Sequence, residues 1–362
     1  MQRSQQRLVE LDFFRGLVQL IIVVDHIGGS ILSRLTLHTY ALCDAAEVFV
    51  FLGGYASATA FLSLAERRTE ADARQRFFKR ALEIYRAFLV TAGLMLALSA
   101  VLRAFGIDGP NLADTDLDAL IEAPAEALCD ILLFRRQPYL ASVLPMYAFF
   151  ALAVPLVLPL ARSKPWLLAA ASIALWAGAS EFGSYLPVAE DTSWDFNPFA
   201  WQLMFVLGVL ARCQPVYQRV SAQRFGWLVS AAALCAAAAL GYDKLFGAEA
   251  PIDPEFKQDL SWLRVVNFLA IAWLVGHLIR HGWARKIAHL APWVGAVGRK
   301  GMFCFIAGSG ISLVVDSLLY KLTDGLLDVP LGLAADAIAI GALVAVANAY
   351  GPIARALAVK AG

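Results

Sequence analysis

The sequence predicts an all-α polytopic membrane protein of about ten transmembrane helices with both termini cytoplasmic, and three observations predict it. Hydrophobic residues fill 60% of the 362 positions and charged ones only 16%, where a soluble domain carries about 25% charged residues. Apolar runs long enough to cross a hydrocarbon core of about 30 Å recur from one end of the chain to the other. Lys and Arg, finally, divide unequally between alternate loops. The length alone would accommodate two or three soluble domains, but the recurrence of apolar runs favours a single integral-membrane domain over residues 1–362. A formal net charge of +1, with no basic tail and no acidic block, argues against nucleic acid as a partner. Cys43, Cys129, Cys213, Cys235 and Cys304 are odd in number and scattered, without CxxC or metal-ligand spacing, so no disulfide framework is expected.

The first predicted span covers 11–28. It reads as an uncleaved helix rather than a signal peptide, because Glu10, Asp12 and Arg15 interrupt its apolar start and Gly28-Gly29-Ser30 is a poor cleavage site. Span two, 44–65, contains Gly53, Gly54, Ala56, Ser57 and Ala58, small residues that let neighbouring helices approach closely. Spans 82–105, 139–160 and 165–186 follow. The sixth, 198–212, is short and opens on Asn197-Pro198. Spans 225–246, 262–280, 302–320 and 331–354 complete the set. Between spans three and four, in an outer segment of about 107–136, the run Asp116–Phe134 alternates apolar residues with Asp118, Glu122, Glu126 and Asp130 and predicts an amphipathic helix lying at the outer surface.

Orientation follows from the basic residues. With the N-terminus inside, the inner loops hold 20 of them, including the six of Glu66–Arg80 and the terminal Arg3, Arg7, Arg355 and Lys360, against 8 in the outer loops. Outer stretches such as Ile107–Asp130 and Ala248–Asp259 are rich in Asp and Glu.

Chemistry concentrates in spans one to three. Arg15 and His26 are eleven residues apart, so they share one helix face about 16 Å apart along the axis. Ionisable groups are costly in a bilayer and usually face a watery or protein-lined site. Arg15 falls in the inner leaflet and His26 in the outer one. Asp12 is expected to pair with Arg15 at i+3. Asp25 points about 80° away from the Arg15/His26 face, as either a partner from an adjoining site or a water-exposed end residue. Asp44 and Glu47 share a helix face at the depth of His26, where a carboxylate would fix the imidazole tautomer and raise its basicity. Arg80 and Arg86 lie near the inner surface at a depth close to that of Arg15, and guanidinium forks there suit the phosphates of a cytoplasmic anion. Lys79 and Arg80 also read as topology anchors, which leaves Arg86 the stronger of the two candidates. Asp336, near the start of span ten, is expected to face the outer interface. No GxSxG, Walker, HExxH or zinc-ligand pattern is present.

The N-terminal run Leu8-Val9-Glu10-Leu11-Asp12-Phe13-Phe14-Arg15-Gly16, then Asp25-His26, then Asp44 to Tyr55 resembles the OpgC family, inner-membrane proteins that attach succinyl groups to osmoregulated periplasmic glucans. The resemblance continues at Gln137-Pro138-Tyr139 and Leu144-Pro145-Met146-Tyr147. It is most specific at Trp194-Asp195-Phe196-Asn197-Pro198-Phe199-Ala200-Trp201-Gln202 and on to Gly208, and it spans essentially the whole chain, with 220–290 matching in hydropathy only. The wider type-three acyltransferase clan shares an Arg and a His separated by ten residues in its first helix, here Arg15 and His26. That group often carries an Arg–two residues–Arg motif near the third helix, which this chain lacks.

The resemblance implies a ten-helix bundle in a bacterial inner membrane. It would take an acyl group from acyl-CoA, with succinyl-CoA the expected co-substrate, and give it to a periplasmic glucan hydroxyl. No bound cofactor or metal is implied; the partners are acyl-CoA, the glucan, the lipid bilayer and glucan-synthesis proteins. His26 would be the catalytic base, with Asp44, Glu47 and Asp25 beside it, and Arg15 the donor-site cation, with Arg86 and Arg80. Tyr55, Asn197, Trp201 and Gln202 are candidates for polarising the carbonyl or binding the acceptor. The outer segment would be a lid or an interface helix. General-base attack and a covalent acyl-histidine relay fit the sequence equally. A proton-coupled transporter or flippase using His26, Asp44 and Glu47 as a relay is the main alternative, and a passive scaffold of a glucan-synthesis complex the third.

Overall fold

The protein is described by a computed structural model covering the backbone of residues 2–190, 192–247 and 255–360. Residues 248–254 of the loop Ala248–Asp259, and the side chains of Arg3, Arg7, Arg355 and Lys360, lie outside the described residues. Every regular element among the described residues is helical. The main helices are α1 (Gln2–Asp25), α2 (Ala45–Arg67), α3 (Glu70–Ala104), α4 (Val143–Ser163), α5 (Pro165–Ala177), α6 (Pro198–Cys213), α7 (Gly226–Phe246), α8 (Trp262–Arg280), α9 (Pro292–Arg299), α10 (Gly301–Thr323) and α11 (Val329–Lys360). Seven of them, α2, α3, α4, α7, α8, α10 and α11, are long and apolar enough to cross a membrane. The chain is therefore an all-α polytopic membrane protein.

Three departures from the sequence expectation each have a local reason. Helix α3 begins at Glu70, three turns before the apolar run, and at 35 residues is about 50 Å long. Its polar start holds together through exposed same-helix ion pairs, Arg76–Glu83 at 3.0 Å and Arg80–Glu83 at 3.2 Å. The predicted span 165–186 breaks at Gly178 into α5 and a short helix Ala179–Gly183. The predicted amphipathic run Asp116–Phe134 is two short helices, Leu117–Glu122 and Pro124–Leu132, because Pro124 has no N–H to continue the first and starts the second at its N1 position.

Contacts divide the chain into two compact units. One comprises Met1–Thr36, Gly93–Leu117 and Ile279–Gly362, the other Leu37–Ala92 and Asp118–Leu278. In the first unit, Phe13, Leu20 and Val23 of α1 and Ile27 just beyond it pack with Val294 and Val297 of α9, Cys304 of α10 and Ala339, Leu343 and Ala347 of α11. Helices α1 and α9 meet backbone to backbone: a Cβ on Gly16 would overlap the Val294 carbonyl, and one on Gly298 the Asp12 carbonyl. Small residues allow such approach where apolar lipid provides little drive for helix association. In the second unit α2 and α6 cross the same way, Gly54 against the Phe205 carbonyl and Gly208 against that of Phe51.

Candidate functional site

His26 directly follows the last residue of α1, half-buried, and its Nδ1 lies 2.7 Å from the Ile22 carbonyl oxygen. A carbonyl only accepts, so Nδ1 carries the proton and the basic nitrogen of the neutral ring is Nε2.

The chain beyond His26 is held by three carboxylates of the same unit. Asp316 accepts from the Gly28 N–H at 2.8 Å and from Asn111 Nδ2 at 2.7 Å, and Asn111 also reaches the His26 carbonyl at 3.4 Å. Asp25 accepts from Thr36 Oγ1 at 2.7 Å. Asp336 accepts from Ser30 Oγ at 2.5 Å and from the Ile31 and Leu32 amides at 3.0 and 2.8 Å. Only 1% exposed, Asp336 does not face the outer interface as its position had led us to expect, because the turn after α1 leaves it three donors to satisfy. Asp336→Ala is expected to cost about 2–3 kcal/mol, the worth of hydrogen bonds to a buried charge. A thermal unfolding midpoint unchanged from wild type in detergent would contradict this.

Eleven residues before His26, the half-buried Arg15 lies against α10. A Cβ on Gly301 would come within 2.6 Å of Arg15 Nη2. Between them Gln19, 4% exposed, donates from Nε2 to the Gly301 carbonyl at 2.5 Å, while its Oε1 is buried with no hydrogen-bond partner. Gln19 is four residues from Arg15 and seven from His26 and so belongs to the same face of α1. The sequence reasoning passed over it, although a carboxamide in an apolar run at i+4 from the arginine was a legible signal.

The second unit gathers its charges elsewhere. Asp44 caps α2, its Oδ1 accepting from the Ala46 amide at 2.7 Å while Glu47 accepts from the Asp44 amide at 2.9 Å, a reciprocal capping box. Arg264 of α8 donates to Glu47 at 2.5 Å and to Asp44 at 3.0 Å, and Lys257 reaches Asp44 at 2.9 Å. Arg264 and Lys257 had been counted only as outer-loop charges. Next to this cluster Cys43 is 1% exposed. Its burial, reinforced by Glu47 and Asp44 against the opposing Arg264, pushes its thiol up to about 12. The thiolate is the reactive form, so at mildly alkaline pH a maleimide is expected to label the exposed Cys129 and to leave Cys43 unmodified until the protein is denatured. Mass spectrometry of labelled membranes checks this.

The other predicted site residues are woven into the fold of this unit. Asn197 caps α6, accepting from the Phe199 amide at 3.0 Å, and both its Nδ2 hydrogens are taken, by the Ala179 carbonyl and Asp259 Oδ1, each at 2.7 Å. Gln202 Nε2 donates to the Ser172 and Phe199 carbonyls at 2.8 and 3.1 Å. Trp201, wholly buried, donates to the Lys257 and Gln258 carbonyls at 3.1 Å. Polarising a substrate carbonyl needs a donor, and these three have none left. In the fold they join α6 to its neighbours. Tyr55 is half-buried on α2 and its carbonyl accepts from Thr59. Arg80 is engaged by Glu83, and Arg86 is exposed on α3. No group of three or more His, Cys, Asp or Glu among the described residues is arranged to hold a metal ion.

A polytopic helical membrane protein with a histidine at one end of a helix and an arginine eleven residues earlier is the class this architecture defines. A family model described as OpgC protein matches residues 7–355, nearly the whole chain, and the chain belongs to the OpgC family. It is accordingly a multi-pass membrane protein of transferase type. No curated protein and no solved structure matches it.

Proposed function

We propose that this protein is an inner-membrane O-acyltransferase that moves a succinyl group from cytoplasmic succinyl-CoA to hydroxyls of a periplasmic glucan. The observation that carries the reading is the orientation of His26. Its Nδ1–H is fixed on the Ile22 carbonyl, leaving Nε2 as the base, in register with Arg15 about 16 Å away along α1. That separation is comparable to an extended pantetheine arm, so a CoA phosphate held at Arg15 would bring the thioester to His26.

In this mechanism His26 Nε2 removes the proton of the sugar hydroxyl as its oxygen attacks the thioester carbonyl. The tetrahedral adduct collapses with cleavage of the C–S bond. The departing thiolate takes the proton back from the imidazolium, giving the ester and free CoA thiol. Asp44 and Glu47 hold Arg264, and the imidazole is oriented by the Ile22 carbonyl. Arg15 is the donor-site cation. Arg86 is exposed on α3, and Arg80 is engaged by Glu83.

The test is transfer of radiolabel from succinyl-CoA to periplasmic glucan in membranes, for wild type and His26→Ala at matched expression. Loss in the variant alone supports the reading. Equal transfer in both removes His26 from the chemistry. Absence of transfer by wild type, with acetyl-CoA run in parallel, rejects it in favour of proton-coupled transport.

A further inference from the structure

We infer that Gln19 and Gly301 are positioning residues that seat the guanidinium of Arg15 at the start of α10, an inference that rests on Arg15 being the donor-site cation. A long side chain such as Arg loses much rotamer freedom when held in one place. A cation that must meet a phosphate in a fixed geometry therefore gains from being seated in advance. Two features supply the seat. Gly301 leaves empty the volume that a Cβ would fill, and Arg15 Nη2 lies 2.6 Å from that point. Any larger residue at 301 must push the guanidinium away.

Gln19 fixes the distance between the two helices at this level. It stands one turn beyond Arg15 on the same face of α1, and its Nε2–H bond to the Gly301 carbonyl at 2.5 Å ties α1 to the first residue of α10. The tie is buried, so water does not compete for it. Two positions just before it are also held: the Lys300 ammonium is bonded to the Ala347 carbonyl of α11, and Gly298 is pressed on the Asp12 carbonyl of α1. The segment that carries the seat therefore has little freedom to retreat when a side chain is added at 301. Arg15 is moved instead.

The experiment measures initial rates against succinyl-CoA concentration in membranes for wild type, Arg15→Lys, Gly301→Ala, Gln19→Leu and the double variant Arg15→Lys/Gly301→Ala. Gly301→Ala and Gln19→Leu are each expected to raise KM for succinyl-CoA about tenfold with kcat within about twofold, the pattern of lost uniform binding. Gly301→Ala is expected to add nothing to Arg15→Lys, because the two act through one contact. Gln19→Leu removes the tie without adding volume at 301, so it gives an answer even where Gly301→Ala fails to accumulate. A raised KM in Arg15→Lys with both seat variants at wild-type KM overturns the inference and leaves the donor-site reading intact. Additive effects in the double variant, or a fall in kcat at unchanged KM, overturn it as well. An unchanged KM in Arg15→Lys overturns the donor-site reading, and the seat with it.

Discussion

His26→Ala is expected to lower acyl transfer about a thousandfold while leaving the protein folded, within the range by which a positioned general base accelerates proton transfer. The fold has little stake in the imidazole. Its Nδ1 bonds the Ile22 carbonyl one turn earlier, a C-terminal carbonyl that water can also satisfy. The chain that follows is held independently by Asp316, Asp336 and Asp25 through backbone amides and hydroxyls. Chemistry, by contrast, depends on Nε2 being both unprotonated and aimed. His26→Gln is expected to be as inactive as alanine, since a carboxamide keeps a donor and an acceptor but has no basic nitrogen. The rate against pH separates the explanations: wild type should lose activity on the acid side as Nε2 takes a proton, and that limb should be missing from the residual rate of both variants. A His26→Gln protein with wild-type turnover would sink the general-base role.

The second large effect concerns stability and lies in the other unit. Arg264→Ala is expected to destabilise the protein by about 3–5 kcal/mol, the cost of leaving a buried charge without its partner. Glu47 is fully buried, with Arg264 at 2.5 Å, while Asp44 keeps Lys257 at 2.9 Å after the change. The stranded charge is therefore that of Glu47. Removing both members, as in Arg264→Met with Glu47→Leu, should recover much of the loss, because replacing a buried ion pair with apolar side chains is often close to neutral. Thermal unfolding of the detergent-solubilised protein, followed by size-exclusion, reads both: a large drop for the single variant and a smaller one for the double. A double variant as unstable as Arg264→Ala would mean that Arg264 acts through something other than Glu47. His26→Ala changes rate without stability and Arg264→Ala changes stability first, so the pair distinguishes a residue of the reaction from a residue of the frame.

Much of this protein was legible in its sequence because the deciding physics is local. An apolar run of about 20 residues has few options other than a helix across a bilayer. Span 262–280 coincides with α8, and spans 198–212 and 225–246 lie within one residue of α6 and α7. Helical periodicity alone placed Arg15 and His26 on one face. Breaks set by a single residue were harder: Gly178 and Pro124 divide segments whose hydropathy runs on without interruption. The polar first turns of α3 look like a loop by hydropathy, since ion pairs rather than apolar burial hold them.

Partnership between distant residues was settled by the tertiary structure. Asp44 and Glu47 have the spacing of a capping box, and the box is there, but that they also hold Arg264, some 220 positions later, follows from no pattern along the chain. In the same way Asp336 looked like a lone interfacial charge until the turn at Ser30–Leu32 folded onto it, and no pattern along the chain pairs Gln19 with Gly301. Hydropathy and periodicity report what each residue needs, whether an apolar neighbour, a counter-charge or a hydrogen bond. Which residue meets that need depends on the packing of helices far apart in sequence, and that is decided by shape at contacts such as Gly16 on Val294 and Gly54 on Phe205.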